Sequence, residues 1–377
     1  MRALSFITLI FFFLQTAWSQ EFAAGKETAY PSPETVNKEI KIYLPENYTE
    51  DKKWPVIFYF HGMNGKPGTG LFQKYTDKKD FIIVSLDYFT KGTKQFTSEK
   101  EMKDHYKKDF DNLTNIKNAL QKKISLDPEK VYISGVSKGG WTTSMICDTQ
   151  LSSFAGVIIF LAGRMRVPNK VAKRANRSGI PIYVGVGEFD GNLIPGVAAI
   201  DHYNKLGGVV NFEMFDGVGH SMPDKTPKVF SEWLNLQRPD FKINFDEWFE
   251  EKIKGLSGDD PKKLFASYLE VRESPYLQKL SNSQKNKYSQ LLNSKAKEIP
   301  DLTKEIKAYS EFYKVMKIET DAGVIKDWEK AINSYRSLQE KYKGTEYANK
   351  CQFQIDRASK TLENAKAYFE KIKQMKR

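Results

Sequence analysis

Seven apolar runs of strand length are spread through the first two-thirds of this 377-residue chain: Ile40 to Leu44, Val56 to Phe60, Phe81 to Leu86, Val131 to Ser134, Val157 to Leu161, Ile182 to Val186 and Val209 to Phe215. Several are continuously apolar rather than alternating, as strands buried on both faces require. Helical patterns separate them, at Thr69 to Lys79, Tyr106 to Ile124, Gly139 to Thr149 and Gly196 to Leu206, and Pro227 to Gln237 closes the series. Strands alternating with helices at this spacing predict an α/β fold, a doubly wound and mostly parallel sheet flanked by helices.

Beyond Arg238-Pro239-Asp240 the pattern changes. Glycines and strand signals become rare, and Lys, Glu and Leu at helical spacing continue to Arg377. The expected organisation is a signal peptide over 1–19, an α/β catalytic domain over 20–240 and an all-α domain over 241–377. Within the last, Ala331 to Tyr335, Leu338, Tyr342 and Gly344 to Phe353 resemble a tetratricopeptide-like helical hairpin, with small and aromatic residues at packing positions. One such unit reads as a helical cap or spacer, or as a surface for a protein partner.

The chemistry centres on Gly135-Val136-Ser137-Lys138-Gly139, which follows the β-branched run from Lys130 to Ser134 and leads into a helical stretch. Strand, sharp turn and helix in this order form a nucleophile elbow. Small residues two before and two after the serine allow the tight turn. The helix N-terminus then favours an anion developing there. An acid and a histidine follow, each just past a strand: Gly187-Glu-Phe-Asp190 after the Ile182 run, and Asp216-Gly-Val-Gly-His220 after the Val209 run. Both sit where a parallel sheet presents its site, outside the carboxyl ends of its strands.

Of the four histidines, His220 fits the base by position, whereas His105 and His202 lie in charged helical stretches and read as surface residues. Glu188 and Asp216 are the reserves to Asp190. Upstream, Pro55 to Phe60 runs into His61-Gly62-Met63-Asn64-Gly65, where backbone N–H groups can face a substrate oxygen. His61 is a candidate for substrate contact there, with structural hydrogen bonding as its other role.

On the stretch Leu126 to Gly140, together with the His61-Gly62 turn, Asp190 and His220, the chain resembles the α/β-hydrolase family. Within that family it is similar to secreted poly(3-hydroxybutyrate) depolymerases and feruloyl esterases, over residues 35–238. The resemblance implies Ser137 as nucleophile, His220 as base and Asp190 as orienting acid. It also implies an oxyanion hole from the backbone N–H groups of Lys138 and of a residue near Met63. Glucuronoyl esterases place an arginine directly after the serine. Lys138, with Arg164 and Arg166 near the same sheet edge, therefore suggests a carboxylate-bearing substrate, unless Lys138 points along the helix into solvent. The 163–178 segment holds one small helix at most, which predicts an open site and disfavours a lidded lipase.

Met1-Arg2, the apolar run Ala3 to Leu14 and Ala17-Trp18-Ser19 have the charged start, apolar core and small −3 and −1 residues of a signal peptide, with cleavage after Ser19. The apolar run is shorter than the roughly 20 residues that span a bilayer. The expectation is a secreted or periplasmic protein. Cys147 and Cys351 fall in different domains, and Cys147 reads as a buried thiol. Asn47, Asn112 and Asn176 each begin an N-x-S/T triplet. A net charge of +12 raises the question of nucleic acid. The lysines are scattered, without an aromatic-interleaved basic block, which reads as a solvated face. No metal-ligand spacing and no phosphate loop are found, so no cofactor is expected. The sequence reading is a serine esterase acting on feruloyl or acetyl esters of a polysaccharide. Polyester or peptide hydrolysis is the alternative within hydrolases, and a noncatalytic hydrolase-fold platform the alternative outside them.

Overall fold

The computed structural model describes residues 22–31, 39–88, 99–164 and 176–375. The signal-peptide reading over 1–19 and most of the 163–178 segment, Arg166 included, lie outside the described residues.

Eight strands form one sheet in the order β1-β2-β4-β3-β5-β6-β7-β8. They are β1 (Glu27–Pro31), β2 (Glu39–Tyr43), β3 (Trp54–Phe60), β4 (Ile82–Leu86), β5 (Leu126–Val136), β6 (Gly156–Phe160), β7 (Ile180–Gly187) and β8 (Gly208–Phe215). Strands β1 and β2 are antiparallel to their neighbours and the rest run parallel. Every residue of β3, β4 and β6 is buried, as their unbroken apolar sequences require. The expected doubly wound sheet is present, and all seven apolar runs are strands within it. The eighth, β1, is a short half-buried edge strand whose Glu-Thr-Ala-Tyr-Pro sequence has little apolar signal.

Among the described residues, five α-helices accompany the sheet: α1 (Gly70–Tyr75), α2 (Glu99–Leu120), α3 (Lys138–Gln150), α4 (Leu193–Lys205) and α5 (Lys228–Asn235). Helix α1 ends four residues before the expected Lys79, because Asp77, Lys78 and Asp80 take left-handed backbone angles that close the turn. Helix α4 begins three residues earlier than expected. Pro195 sits in its first turn, where no N–H is needed.

The C-terminal region is helical throughout: α6 (Phe245–Lys254), α7 (Pro261–Glu273), α8 (Asn282–Glu298), α9 (Pro300–Thr320), α10 (Ile325–Lys341) and α11 (Glu346–Met375). Asn244, Asp260 and Ser281 cap α6, α7 and α8 by accepting the first backbone N–H groups. Helices α10 and α11 pack against each other, with Ala331, Tyr335, Leu338, Ala348 and Cys351 all buried. One hydrophobic cluster runs from the sheet into these helices, joining Val184 and Val186 to Phe265, Phe312 and Tyr347. The helices thus cover the edge strand β8, with Tyr313 edge-on to Phe212 at 6.3 Å. Cys147 and Cys351 are free, buried thiols. Asn112 is also buried, so it is no glycan acceptor in the folded chain.

Between β8, α5, α7 and α11 a cavity of 590 Å³ is lined by Glu213, Asp216, Glu273 and Glu346. Burial, reinforced by Glu213 and Asp216, raises Glu273 to about 7. An acid whose folded value lies above its unfolded one favours folding at low pH, and that contribution is lost as pH rises through the folded value. Thermal unfolding should therefore show stability falling between about pH 5 and pH 8, by at most on the order of 3 kcal/mol from this residue. Glu273→Gln should flatten that slope; an unchanged slope would contradict the assignment.

Candidate active site

The elbow is built from close backbone contacts. A Cβ on Gly135 would lie 2.1 Å from the Gly139 carbonyl, and one on Gly139 would lie 2.0 Å from the Phe60 carbonyl oxygen. Only glycine lets β5, β3 and the start of α3 meet here. Between them Ser137 is held at φ 53°, ψ −113°, a strained conformation for a side-chain-bearing residue, fixed by its N–H donating to Phe160 O at 2.9 Å. The strain turns the hydroxyl out of the sheet at the N-terminus of α3.

Asp190 and His220 meet it from the ends of β7 and β8. Ser137 Oγ lies 2.8 Å from His220 Nε2, and His220 Nδ1 lies 2.8 Å from Asp190 Oδ2. The tautomer with its proton on Nδ1 satisfies both contacts: the serine hydroxyl donates to Nε2, and Nδ1–H donates to the carboxylate. Asp190 is 1 % exposed, whereas the His220 side chain is 47 % exposed, so the relay runs from the interior to an open rim. Asn192, which no sequence motif singles out, donates its backbone N–H to Asp190 Oδ1 at 2.8 Å and ties its side chain to Leu161 O. The reserve acids point elsewhere: Glu188 and Asp216 both bind Lys350.

The upstream turn abuts the serine. A Cβ on Gly62 would be 3.9 Å from Ser137 Cβ, which sets the next residue, Met63, at the mouth with its side chain 53 % exposed. Lys138 is the first residue of α3, where a backbone N–H has no partner within its own helix.

His61 is buried, with Nδ1 2.7 Å from Gly62 O and Nε2 3.4 Å from Asp87. Both ring nitrogens are engaged, which corrects its candidacy for substrate contact and leaves the structural role. The Lys138 ammonium lies 4.3 Å from the Tyr88 ring centre, over an aromatic face rather than out along the helix. Arg164 is buried and its guanidinium is 3.3 Å from Asp148, which also binds His202 at 2.7 Å. Arg164 therefore serves an internal ion pair rather than a substrate carboxylate, and His202 is a second partner of Asp148 rather than a surface residue. Isolated sequence positions gave no sign of this pairing, because Asp148, Arg164 and His202 come from separate segments.

Residues 34–194 match the Esterase family model, described as "Putative esterase". The match contains the oxyanion turn, Ser137 and Asp190, and stops before His220. No curated protein matches the chain. Among solved structures, a CE1 ferulic acid esterase from Anaeromyces mucronatus is 19% identical, with a TM-score of 0.41 over 54% of this chain and 87% of that one. The BES protein from Bacillus cereus is 17% identical, with a TM-score of 0.42 over 58% of this chain and 98% of that one. Esterase 2 from Thermogutta terrifontis, in a form phosphoramylated by tabun, is 17% identical, with a TM-score of 0.41 over 62% and 97%. It is the match over residues 34–194, and not these distant likenesses, that supports reading this parallel-sheet chain as similar to the Esterase family and as a serine carboxylic ester hydrolase.

Proposed function

We propose that the protein is an exported esterase that cleaves feruloyl or acetyl esters on polysaccharide through Ser137, His220 and Asp190. The observation that carries the reading is the unbroken relay of two 2.8 Å contacts from a strained, outward-facing serine to a buried carboxylate. Ser137 Oγ bonds to the ester carbonyl carbon while its proton passes to His220 Nε2. The backbone N–H groups of Lys138 and Met63 hold the oxyanion. The C–O bond to the alcohol then breaks and the alcohol leaves with that proton. Water repeats the sequence on the acyl-enzyme and restores the serine.

The polysaccharide ester is supported by the resemblance carried on Leu126 to Gly140 and by the open rim. Met63 and Phe189, on the oxyanion turn and the acid loop, are large apolar side chains left 53 % and 43 % exposed. Such a rim suits a flat aromatic acyl group presented on a bulky alcohol. A screen of methyl ferulate, p-nitrophenyl acetate, a glucuronoyl ester, a polyester and a peptide tests the reading. Turnover of the first two is expected, with Met63→Ser and Phe189→Ser raising KM for the ferulate more than for the acetate. No turnover of any ester by folded protein would favour a noncatalytic platform. Asp190→Asn should lower kcat by about 10⁴-fold through loss of the required tautomer, with the fold intact by circular dichroism. Near-wild-type kcat in that variant would remove Asp190 from the mechanism.

A further inference from the structure

A single face of α11 reaches both loops that carry the acid and the base. Lys350 Nζ lies 3.1 Å from Glu188 Oε2 and 2.9 Å from Asp216 Oδ1. Glu188 precedes Asp190 by two residues and Asp216 precedes His220 by four. The same Glu188 oxygen accepts the Gly217 N–H at 2.9 Å, so one ammonium and one carboxylate join the ends of β7 and β8. The lysine is largely withdrawn from water, and a buried ammonium is held only by such partners.

One helical turn on, Gln354 is fully buried and donates from Nε2 to the Glu188 carbonyl oxygen at 3.2 Å. Its amide is oriented from behind. Arg357 Nε donates to Gln354 Oε1 at 3.0 Å, and the Arg357 guanidinium is anchored 2.5 Å from Glu319, which also accepts from Tyr335. Phe353 packs edge-on against Phe189 at 4.9 Å. Three consecutive residues of the acid loop thus have fixed neighbours: Glu188 and Phe189 on α11, and Asp190 on His220.

We infer that Lys350 and Gln354 are positioning residues for catalysis, through which the C-terminal helices hold the Asp190 and His220 loops in register with Ser137. This rests on the triad reading above. A helical cap that only covered β8 would need no buried cation between the two loops. Because a shift of about 1 Å at a reacting group can cost two orders of magnitude in rate, loosening the two loops should appear in kcat before it appears in substrate binding.

The test compares full-length wild type, Lys350→Met, Lys350→Arg, Gln354→Met and the control Lys366→Met. The control, on the same helix as Lys350, removes an exposed ion pair to Glu329 of α10. Each is assayed with p-nitrophenyl acetate well below its melting temperature and timed for labelling by a fluorophosphonate. Lys350→Met should lose about 10- to 100-fold in kcat and in labelling rate with KM within about twofold of wild type. Lys350→Arg should recover most of the loss, and Lys366→Met should match wild type. Gln354→Met, which keeps the side-chain volume and removes the donor, should show a smaller loss of the same kind. It decides the matter if Lys350→Met does not fold. Wild-type kcat and labelling in folded Lys350→Met or Gln354→Met, whatever their melting temperatures, would overturn the inference alone. A wild-type protein that neither turns over ester nor labels would overturn the triad reading, and the inference with it.

Discussion

Ser137→Ala is expected to fold normally and to lose at least about 10⁴-fold in kcat on p-nitrophenyl acetate. The size follows from the geometry. The hydroxyl is the atom that forms the acyl bond, and His220 Nε2 at 2.8 Å is there to take its proton. The residual rate should reflect the oxyanion N–H groups alone, because Lys138 and Met63 offer backbone groups that the substitution leaves in place. Stability should hardly change, since the Ser137 side chain is half-buried and the elbow is fixed by its own backbone hydrogen bond to Phe160. A variant that keeps a tenth or more of wild-type kcat would place the reaction elsewhere.

Gly139→Ala should have the second large effect, on folding. The added methyl would lie 2.0 Å from Phe60 O and 2.7 Å from His61 O, both backbone atoms at the end of a strand buried along its whole length. Neither can move without shifting β3 away from α3, so a loss of at least about 3 kcal/mol is expected, or failure to fold. Gly68→Ala is the matched control: no atom lies within 4 Å of the added carbon, and its stability should change by less than about 1 kcal/mol. Equal melting temperatures for the two variants would contradict the account of the elbow.

The sheet was legible because its strands are buried on both faces and have unbroken apolar sequences. Trp54 to Phe60 and Gly156 to Phe160 allow little else. The relay was legible for a related reason, since Ser137, Asp190 and His220 each follow such a strand, where a parallel sheet exposes its loops. Boundaries were less legible. The left-handed residues that end α1 are charged Asp and Lys rather than glycine, and the first turns of α2 from Glu99 are charged and lack an apolar stripe. What could not be read was partnership between distant segments. Arg164 and His202 find Asp148, and Lys350 finds Glu188 and Asp216, by packing alone. The one local sign of the last was the spacing of Glu346, Lys350 and Gln354 at successive fourth positions, which places them on one helix face.

These long-range partners change the meaning of the helical region. The sequence left it as a cap, a spacer or a surface for a partner. Its hydrophobic core is continuous with that of the sheet, and Lys350 and Gln354 reach the acid loop itself.

The most direct test of the central claim is covalent labelling of the wild-type protein and Ser137→Ala with a fluorophosphonate probe, read by intact mass and peptide mapping. One adduct per wild-type chain, on Ser137, is expected, and none on the variant. No adduct on folded wild-type protein, or an adduct that persists in Ser137→Ala, would contradict that claim.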